Sequence, residues 1–194
     1  MSLTDPMRER LSGDLEPILS LPDPRQKLSA YHDMPYALFH YPPEEEFALR
    51  KEVTLLETRL TQRGKQVTRI SLAECLDDAM RAERPLEDWA GIERQLGTGT
   101  VVDTVHAVLS DYRPLSDLVA GRLPQPGDPL RDVVFIVRTG ALFPMYRTFS
   151  LLEQLKGRVT VPTVLFYPGG LDGAAGLRFM GVLDAEHNYR PKIF

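Results

Sequence analysis

Basic and aromatic residues near the predicted end of one strand are the side chains best placed to do chemistry. Arg138 directly follows an apolar run at 133–137, and Tyr146 and Arg147 come soon after it. In an open α/β sheet, ligands bind in the crevice outside the C-terminal ends of the strands. An arginine there could clamp a phosphate or a partner carboxylate. We favour the alternative, an ion pair with an acid of the same chain, such as Asp132 or Glu153, because structural ion pairs also use arginine.

A second set of basic and aromatic residues lies in the C-terminal segment, alternating with apolar residues up to the last position. Its members are Arg178, Tyr189, Arg190, Lys192 and Phe194. Frayed ends of chains seldom have this composition. The tail therefore either docks onto its own domain or presents Tyr189, Ile193 and Phe194 to a partner, since aromatic and arginine anchors are typical of both. The two sets together are the predicted partner-binding residues.

The turn after the first predicted strand lacks the features of a phosphate-binding loop. Such a loop needs glycines and usually a lysine, whereas Pro42 and Pro43 have no N–H donors and the three glutamates at 44–46 repel phosphate. The sequence contains no GxxxxGK[ST], GxGxxG, HExxH or GxSxG pattern, no paired cysteines and no Asp-rich loop. We therefore predict no catalytic residues, no cofactor and no metal, and expect that the chain is not an enzyme.

Charge is unevenly distributed along the chain. The net charge is −4, with 16 basic and 23 acidic residues in 1–137 but 7 basic and 4 acidic residues in 138–194. The overall sign argues against direct DNA binding, which needs clustered cations. The mildly basic C-terminal third could meet an acidic partner surface or a backbone phosphate, or it could be an ordinary mixed surface.

Targeting and redox signals both point to the cytoplasm. The first residues lack an uninterrupted apolar stretch, and the longest apolar runs are the size of a strand, too short to cross a membrane. A single cysteine, Cys75, allows no internal disulfide, which fits a reducing compartment. We expect a cytoplasmic chain with no membrane association.

Hydrophobic periodicity predicts a single α/β domain over 1–194, with an N-terminal helical arm at 1–30 and a helical middle region at about 73–120. The strand, helix and strand at 35–41, 44–63 and 67–72 predict a βαβ unit with parallel strands. Further predicted elements are a central strand at 133–137, a helix at 144–156, a strand at 161–167 and a loop at 168–173. The fold class is α/β, a mostly parallel sheet flanked by helices, in a P-loop-like or Rossmann-like layout without a phosphate-binding loop.

Three blocks of sequence resemble the BrxB family of bacterial BREX phage-defence systems, and together they span nearly the whole chain. The blocks are Met34-Pro35-Tyr36-Ala37 through Tyr41-Pro42-Pro43-Glu44-Glu45-Glu46-Phe47 to Leu49-Arg50; Arg138-Thr139-Gly140-Ala141-Leu142-Phe143-Pro144 with Tyr146-Arg147 and Leu151-Leu152; and Val161-Pro162-Thr163-Val164-Leu165-Phe166-Tyr167-Pro168-Gly169, Gly176-Leu177-Arg178-Phe179-Met180-Gly181 and Asn188-Tyr189-Arg190-Pro191-Lys192-Ile193. The pattern is specific when the blocks are taken together.

The resemblance implies a small core component of a multi-protein defence system that also contains an ATPase, a DNA methyltransferase and a phosphatase-like protein, PglZ. The family has no known set of catalytic residues to carry over. The leading hypothesis is a non-catalytic scaffold or adaptor that binds PglZ or the large ATPase. The alternative is a degenerate nucleotide-binding subunit, in which Arg138 and Arg147 contact a nucleotide at a neighbour's site as arginine fingers do. A homodimer through a helix at 101–109 stays open.

Overall fold

A mostly parallel sheet forms the centre of the molecule in the computed structural model, which describes residues 6–29, 35–173, 176–185 and 191–194. Strands β2, β3, β4, β1 and β6 lie side by side in that order and are parallel, and β5 pairs antiparallel with β4 alone. The predicted α/β class, with helices flanking a mostly parallel sheet, is confirmed. The strands are β1 (Tyr36–Tyr41), β2 (Gln66–Ser71), β3 (Asp132–Val137), β4 (Thr163–Asp172), β5 (Gly176–Phe179) and β6 (Lys192–Ile193).

Helices cover both faces of this sheet. They are α1 (Pro6–Glu9), a π-helical segment Arg10–Leu15, α2 (Glu16–Leu19), α3 (Arg25–Leu28), α4 (Glu46–Gln62), α5 (Leu72–Glu83), α6 (Leu86–Leu96), α7 (Thr98–Ala107), a second π-helical segment Val108–Tyr112, α8 (Leu115–Ala120) and α9 (Thr148–Leu155). The segments from α1 to α4 contribute buried residues to one face, and those from α5 to α9 to the other. In the part of the chain that the structure describes, no helix has the length and hydrophobicity needed to span a bilayer.

Period-2 alternation along the central strands builds the two cores. Successive residues of β3 point to opposite faces, so Val133 and Phe135 join the core under α4 while Val134 and Ile136 join the core under α5 to α9. Because both faces are covered, β3 reads as a continuous apolar run in the sequence, as expected for a buried parallel strand.

The sheet differs from the predicted βαβ unit in its strand order. Strands β1 and β2 are parallel, as predicted, but β3 and β4 lie between them. Strand β1 pairs instead with β4, with Tyr36 opposite Thr163. The local pattern sets the direction of the two strands, whereas their neighbours are chosen by residues distant in sequence.

Two local predictions in the C-terminal third are wrong. Strand β4 continues to Asp172 and pairs with β5, so the predicted loop at 168–173 is largely one arm of a hairpin. The predicted helix at 144–156 begins only at Thr148. Pro144 cannot donate a backbone hydrogen bond, and Phe143 before it is extended, so the chain forms a turn before the helix.

The described part of the C-terminal tail docks onto the sheet. Lys192 and Ile193 pair in parallel with Ala37 and Leu38 of β1. The backbone N–H of Phe194 donates to the carbonyl of Leu38 (2.8 Å), and its carbonyl accepts from the N–H of His40 (3.1 Å). The sequence left open whether the tail docks onto its own domain or is presented to a partner. Residues 192–194 dock onto their own domain.

Candidate functional site

The C-terminal ends of the parallel strands meet along one edge of the sheet. Register places Tyr41 of β1 opposite Pro168 of β4, and Ser71 of β2 opposite Val137 of β3. The residues that follow these ends therefore surround a common crevice, where ligands bind in open α/β sheets. Arg138 follows β3 directly and lies in this crevice, at the strand end where the sequence places it.

Glu46 is the centre of the crevice. It is the first residue of α4, and Arg50 stands one helical turn later on the same face. The Nε of Arg50 donates to Glu46 Oε1 at 2.8 Å, and the Nε of Arg138 lies 3.6 Å from the same oxygen. The hydroxyl of Tyr41 donates to Oε2. One carboxylate thus joins the end of β1, the start of α4 and the turn after β3.

Tyr41 acts only as a hydrogen-bond donor in this arrangement. Its side chain is fully buried. Burial, followed by the hydrogen bond to Glu46 and the charge of that carboxylate, raises the pKa of Tyr41 far above its ordinary value. The hydroxyl therefore stays protonated under all physiological conditions.

Two adjoining cavities share Glu46, Arg50 and Arg138. The first, of about 200 Å³, lies between α4 and the ends of β2 and β3. The second, also of about 200 Å³, extends towards the residue that follows β5. The other side chains lining the first cavity include Leu49, Val53, Arg69, Glu74 and Val137. The others lining the second are Pro43, Gly140, Ala141 and Met180. We call Glu46, Arg50, Arg138 and Met180 the strand-end site.

Backbone strain is concentrated at this site. Arg138 (φ 61°) and Met180 (φ 54°) are the non-glycine residues with positive φ in the described ranges, and both line the second cavity. The left-handed region costs a residue with a Cβ on the order of 1 kcal/mol or more. Residues held in this way cluster at functional sites, which distinguishes the strand-end site from the rest of the surface.

Tyr146 and Arg147 lie away from Arg138, lining a different cavity together with Asp103, His106 and Ser150. The predicted helical position of both is wrong, because they precede α9. Tyr146 is only 3% exposed and packs beside the ring of His106, so its side chain belongs to the core. Arg147 is exposed.

The C-terminal candidates are divided between two further places. Arg178 of β5 donates from Nη2 to Asp172 Oδ2 of β4 at 3.1 Å, across the hairpin. Lys192 is exposed on the edge strand β6, with its Nζ 4.6 Å from the ring centroid of the half-buried Phe194. Tyr189 and Arg190 lie outside the described residues. The described members of the predicted partner-binding set therefore do not all line one cavity.

Comparison with known proteins identifies the family. A family model described as BREX protein BrxB matches residues 68–193, more than half of the chain. The chain belongs to the BrxB family. It is also similar to a BREX protein BrxB from Bacillus cereus (strain H3081.97), at 24% identity over 168 residues, covering 86% of each chain. No solved structure matches. The resemblance drawn from the sequence is thus confirmed, and the matched region includes Arg138 and Met180.

Sequence reasoning missed most of the residues that surround Arg138 in this BrxB-family chain. The sequence shows Glu46 as one of three acids that repel phosphate, and Arg50 and Met180 as parts of the family pattern, but it does not connect them with Arg138. The expected ion pair between Arg138 and an acid of the same chain is confirmed, but the acid is Glu46 and not one of the two examples, Asp132 and Glu153. One signal was available, the i,i+4 spacing of Glu46 and Arg50, but the approach of Arg138 depends on tertiary structure.

The chemistry that the site supports is the binding of a charge. Its charged members are two guanidinium groups and one carboxylate held between them. In the described ranges, no group of three His, Cys, Asp or Glu side chains is arranged to hold a metal ion. Arginine forks suit carboxylate and phosphate oxygens, so the strand-end site is a candidate anion-binding surface.

Proposed function

We propose that this chain is a non-catalytic scaffold or adaptor of a BREX complex and acts by binding other components, such as the phosphatase-like PglZ or the large ATPase. Membership of the BrxB family supports a role in BREX defence. The adaptor role is our inference from the chemistry of the strand-end crevice.

The observation that carries the proposal is the position of Glu46. In nucleotide-binding α/β folds, phosphate occupies the turn after a strand at the N-terminus of the following helix. Here the chain's own carboxylate stands at the start of α4, held by Arg50, Arg138 and Tyr41. Glu46 is thus held by three side chains of the same chain, which suits a rigid binding surface better than turnover.

Co-purification from the native defence system tests the proposal. The full chain carries an affinity tag and is expressed together with the other genes of its BREX system, and captured proteins are identified and quantified at low and high salt. We expect recovery of at least one BREX component in stoichiometric amount. The purified chain alone should hydrolyse neither ATP nor a phosphate ester. Recovery of the tagged chain by itself at every salt concentration, or turnover by the chain alone, would refute the adaptor role.

One observation favours a second candidate, the degenerate nucleotide-binding subunit. Arg138 lies at the strand end and could reach a phosphate bound by a partner ATPase. Glu46 and Glu74 reduce the charge of the three arginines in the first cavity to one in excess, too little for a triphosphate, and Arg147 lines another cavity. Calorimetric titration with ATP, with and without the ATPase, separates the two: heat of binding that requires Arg138 would favour the second candidate.

A further inference from the structure

The two arginines of the strand-end site use only one edge of their guanidinium groups within the chain. Both direct Nε towards Glu46 Oε1, and their Nη atoms form no hydrogen bond to any residue that the structure describes. Their side chains are 38% and 41% exposed. Glu46 therefore orients both forks and leaves the Nη edges available to an outside acceptor.

The charge of the second cavity fits a single negative group. Arg50 and Arg138 against Glu46 leave one positive charge in excess, and at the neighbouring cavity Arg69 and Glu74 cancel each other. A nucleic-acid backbone or a polyphosphate brings several charges and needs several cations. A carboxylate brings one and accepts a bidentate arginine fork.

The rest of the second cavity is apolar. Pro43, Ala141 and Met180 line it beside the charged groups. Next to it, the ring of Phe47 is 73% exposed and lies 4.8 Å from the guanidinium carbon of Arg50. Arginine and aromatic side chains are enriched among the residues that dominate binding energy at protein interfaces, so apolar side chains should flank the carboxylate.

We propose that the Nη edges of Arg50 and Arg138 bind one aspartate or glutamate side chain of a protein partner, in a segment whose neighbouring side chains are apolar and contact Met180 and Phe47. The proposal rests on the adaptor role and names the surface and the partner chemistry. Backbone strain supports the proposal. Glycine at position 138 would relieve the strain of a φ of 61°, yet a long charged side chain is present there.

Binding and stability measured on the same variants test the proposal. The affinity of the full chain for the BREX component that it captures is measured with wild type, Arg138→Gly, Arg138→Lys and Arg50→Gln. Arg94 of α6 is exposed and forms no ion pair with a described residue, so Arg94→Gln is the matched control. We expect Arg138→Gly and Arg50→Gln each to weaken binding about tenfold or more, Arg138→Lys to weaken it less, and the control to bind like wild type.

Melting temperature separates this role from a merely structural one. Arg138→Gly should melt no lower than wild type, because relief of backbone strain offsets loss of the long ion pair to Glu46. If Arg138→Gly melts lower than wild type, the binding affinity of Arg50→Gln alone decides the test. Arg50 has ordinary helical backbone, so its substitution does not change backbone strain. Binding within twofold of wild type for both neutral variants overturns the proposal. Capture of no component by wild type refutes the adaptor role instead.

A peptide probe tests the site without any BREX partner. Arginine Nε–H resonances are followed by NMR during titration with acetyl-Leu-Glu-Leu-amide, and with acetyl-Leu-Gln-Leu-amide as the neutral match. We expect the signals of Arg50 and Arg138 to shift with the glutamate peptide only. Equal responses to both peptides overturn the proposal, as does a duplex DNA gel shift that Arg138→Gly abolishes, because that result would assign the site to phosphate.

Discussion

A methyl group added at Gly169 should open the hairpin that carries Met180 to the strand-end site. Gly169 has φ 156° and lies opposite Phe179 in the β4–β5 ladder. An ideal Cβ on it would stand 2.2 Å from the carbonyl oxygen of Arg178 and 2.9 Å from Cε1 of Tyr167. The first of these atoms belongs to the backbone and cannot move without shifting the whole of β5.

The cost of Gly169→Ala follows from the two effects of that shift. Unfavourable φ at a residue with a Cβ costs about 1–3 kcal/mol. Opening the ladder weakens one or two backbone hydrogen bonds, each worth about 0.5–1.5 kcal/mol. The hydrogen bond adjacent to Gly169 runs from the N–H of Met180 to the carbonyl of Pro168 (2.8 Å). We expect the free energy of unfolding to fall by about 2–4 kcal/mol.

The neighbouring glycine supplies the control. Gly170 lies in the same strand, and nothing stands within 4 Å of a Cβ placed on it. Gly170→Ala should change the free energy of unfolding by no more than about 0.5 kcal/mol. Urea denaturation followed by far-UV circular dichroism measures both variants. Equal losses for the two alanines would refute the steric argument and the close approach of β5 on which it depends.

Two further predictions concern Glu16 of α2 and His40 of β1, which contacts Arg10 of the first π-helical segment. Glu16 is 5% exposed, accepts a hydrogen bond from Arg59 Nε (2.8 Å) and forms an ion pair with Arg63 Nη1 (3.2 Å), so Glu16→Gln should lower the free energy of unfolding by about 2 kcal/mol in urea denaturation. The same change at the exposed Glu9 should do almost nothing, and comparable losses would contradict this account. Burial, then the charge of Arg10, lowers the pKa of His40 below its ordinary 6.5, so the unfolded chain binds the proton more readily and stability falls as pH drops through that value towards the folded pKa. His40→Gln should reduce the loss of stability between about pH 7.5 and pH 5.5, the range that brackets the histidine pKa, and identical losses for both chains would exclude His40 as a cause.

Sequence patterns predicted the elements whose neighbours are local or whose faces are uniformly buried. The apolar run of β3 and the Leu49, Val53, Leu56 and Leu60 stripe of α4 each face a core, and both elements are present. The sequence did not predict the β4–β5 hairpin because Pro168, Gly169 and Gly170 are typical of a loop. Gly169 is required there by the close approach of β5, a fact that only the folded pair reveals.

In the candidate site too, one part could be predicted from the sequence and the rest could not. The position of Arg138 followed from the end of a recognisable strand. Its partners come from α4 and from the residue after β5, elements that the strand order brings together and that no spacing in the sequence connects. Glu46, one of the three glutamates that exclude phosphate, also holds the two arginines in place.

A structure of this chain bound to the BREX component that it captures tests the central claim most directly. The account predicts that the strand-end site is buried in the interface, with one aspartate or glutamate of the partner within salt-bridge distance of Arg50 and Arg138. A complex in which that crevice faces solvent, or holds a nucleotide or a metal ion, would contradict it.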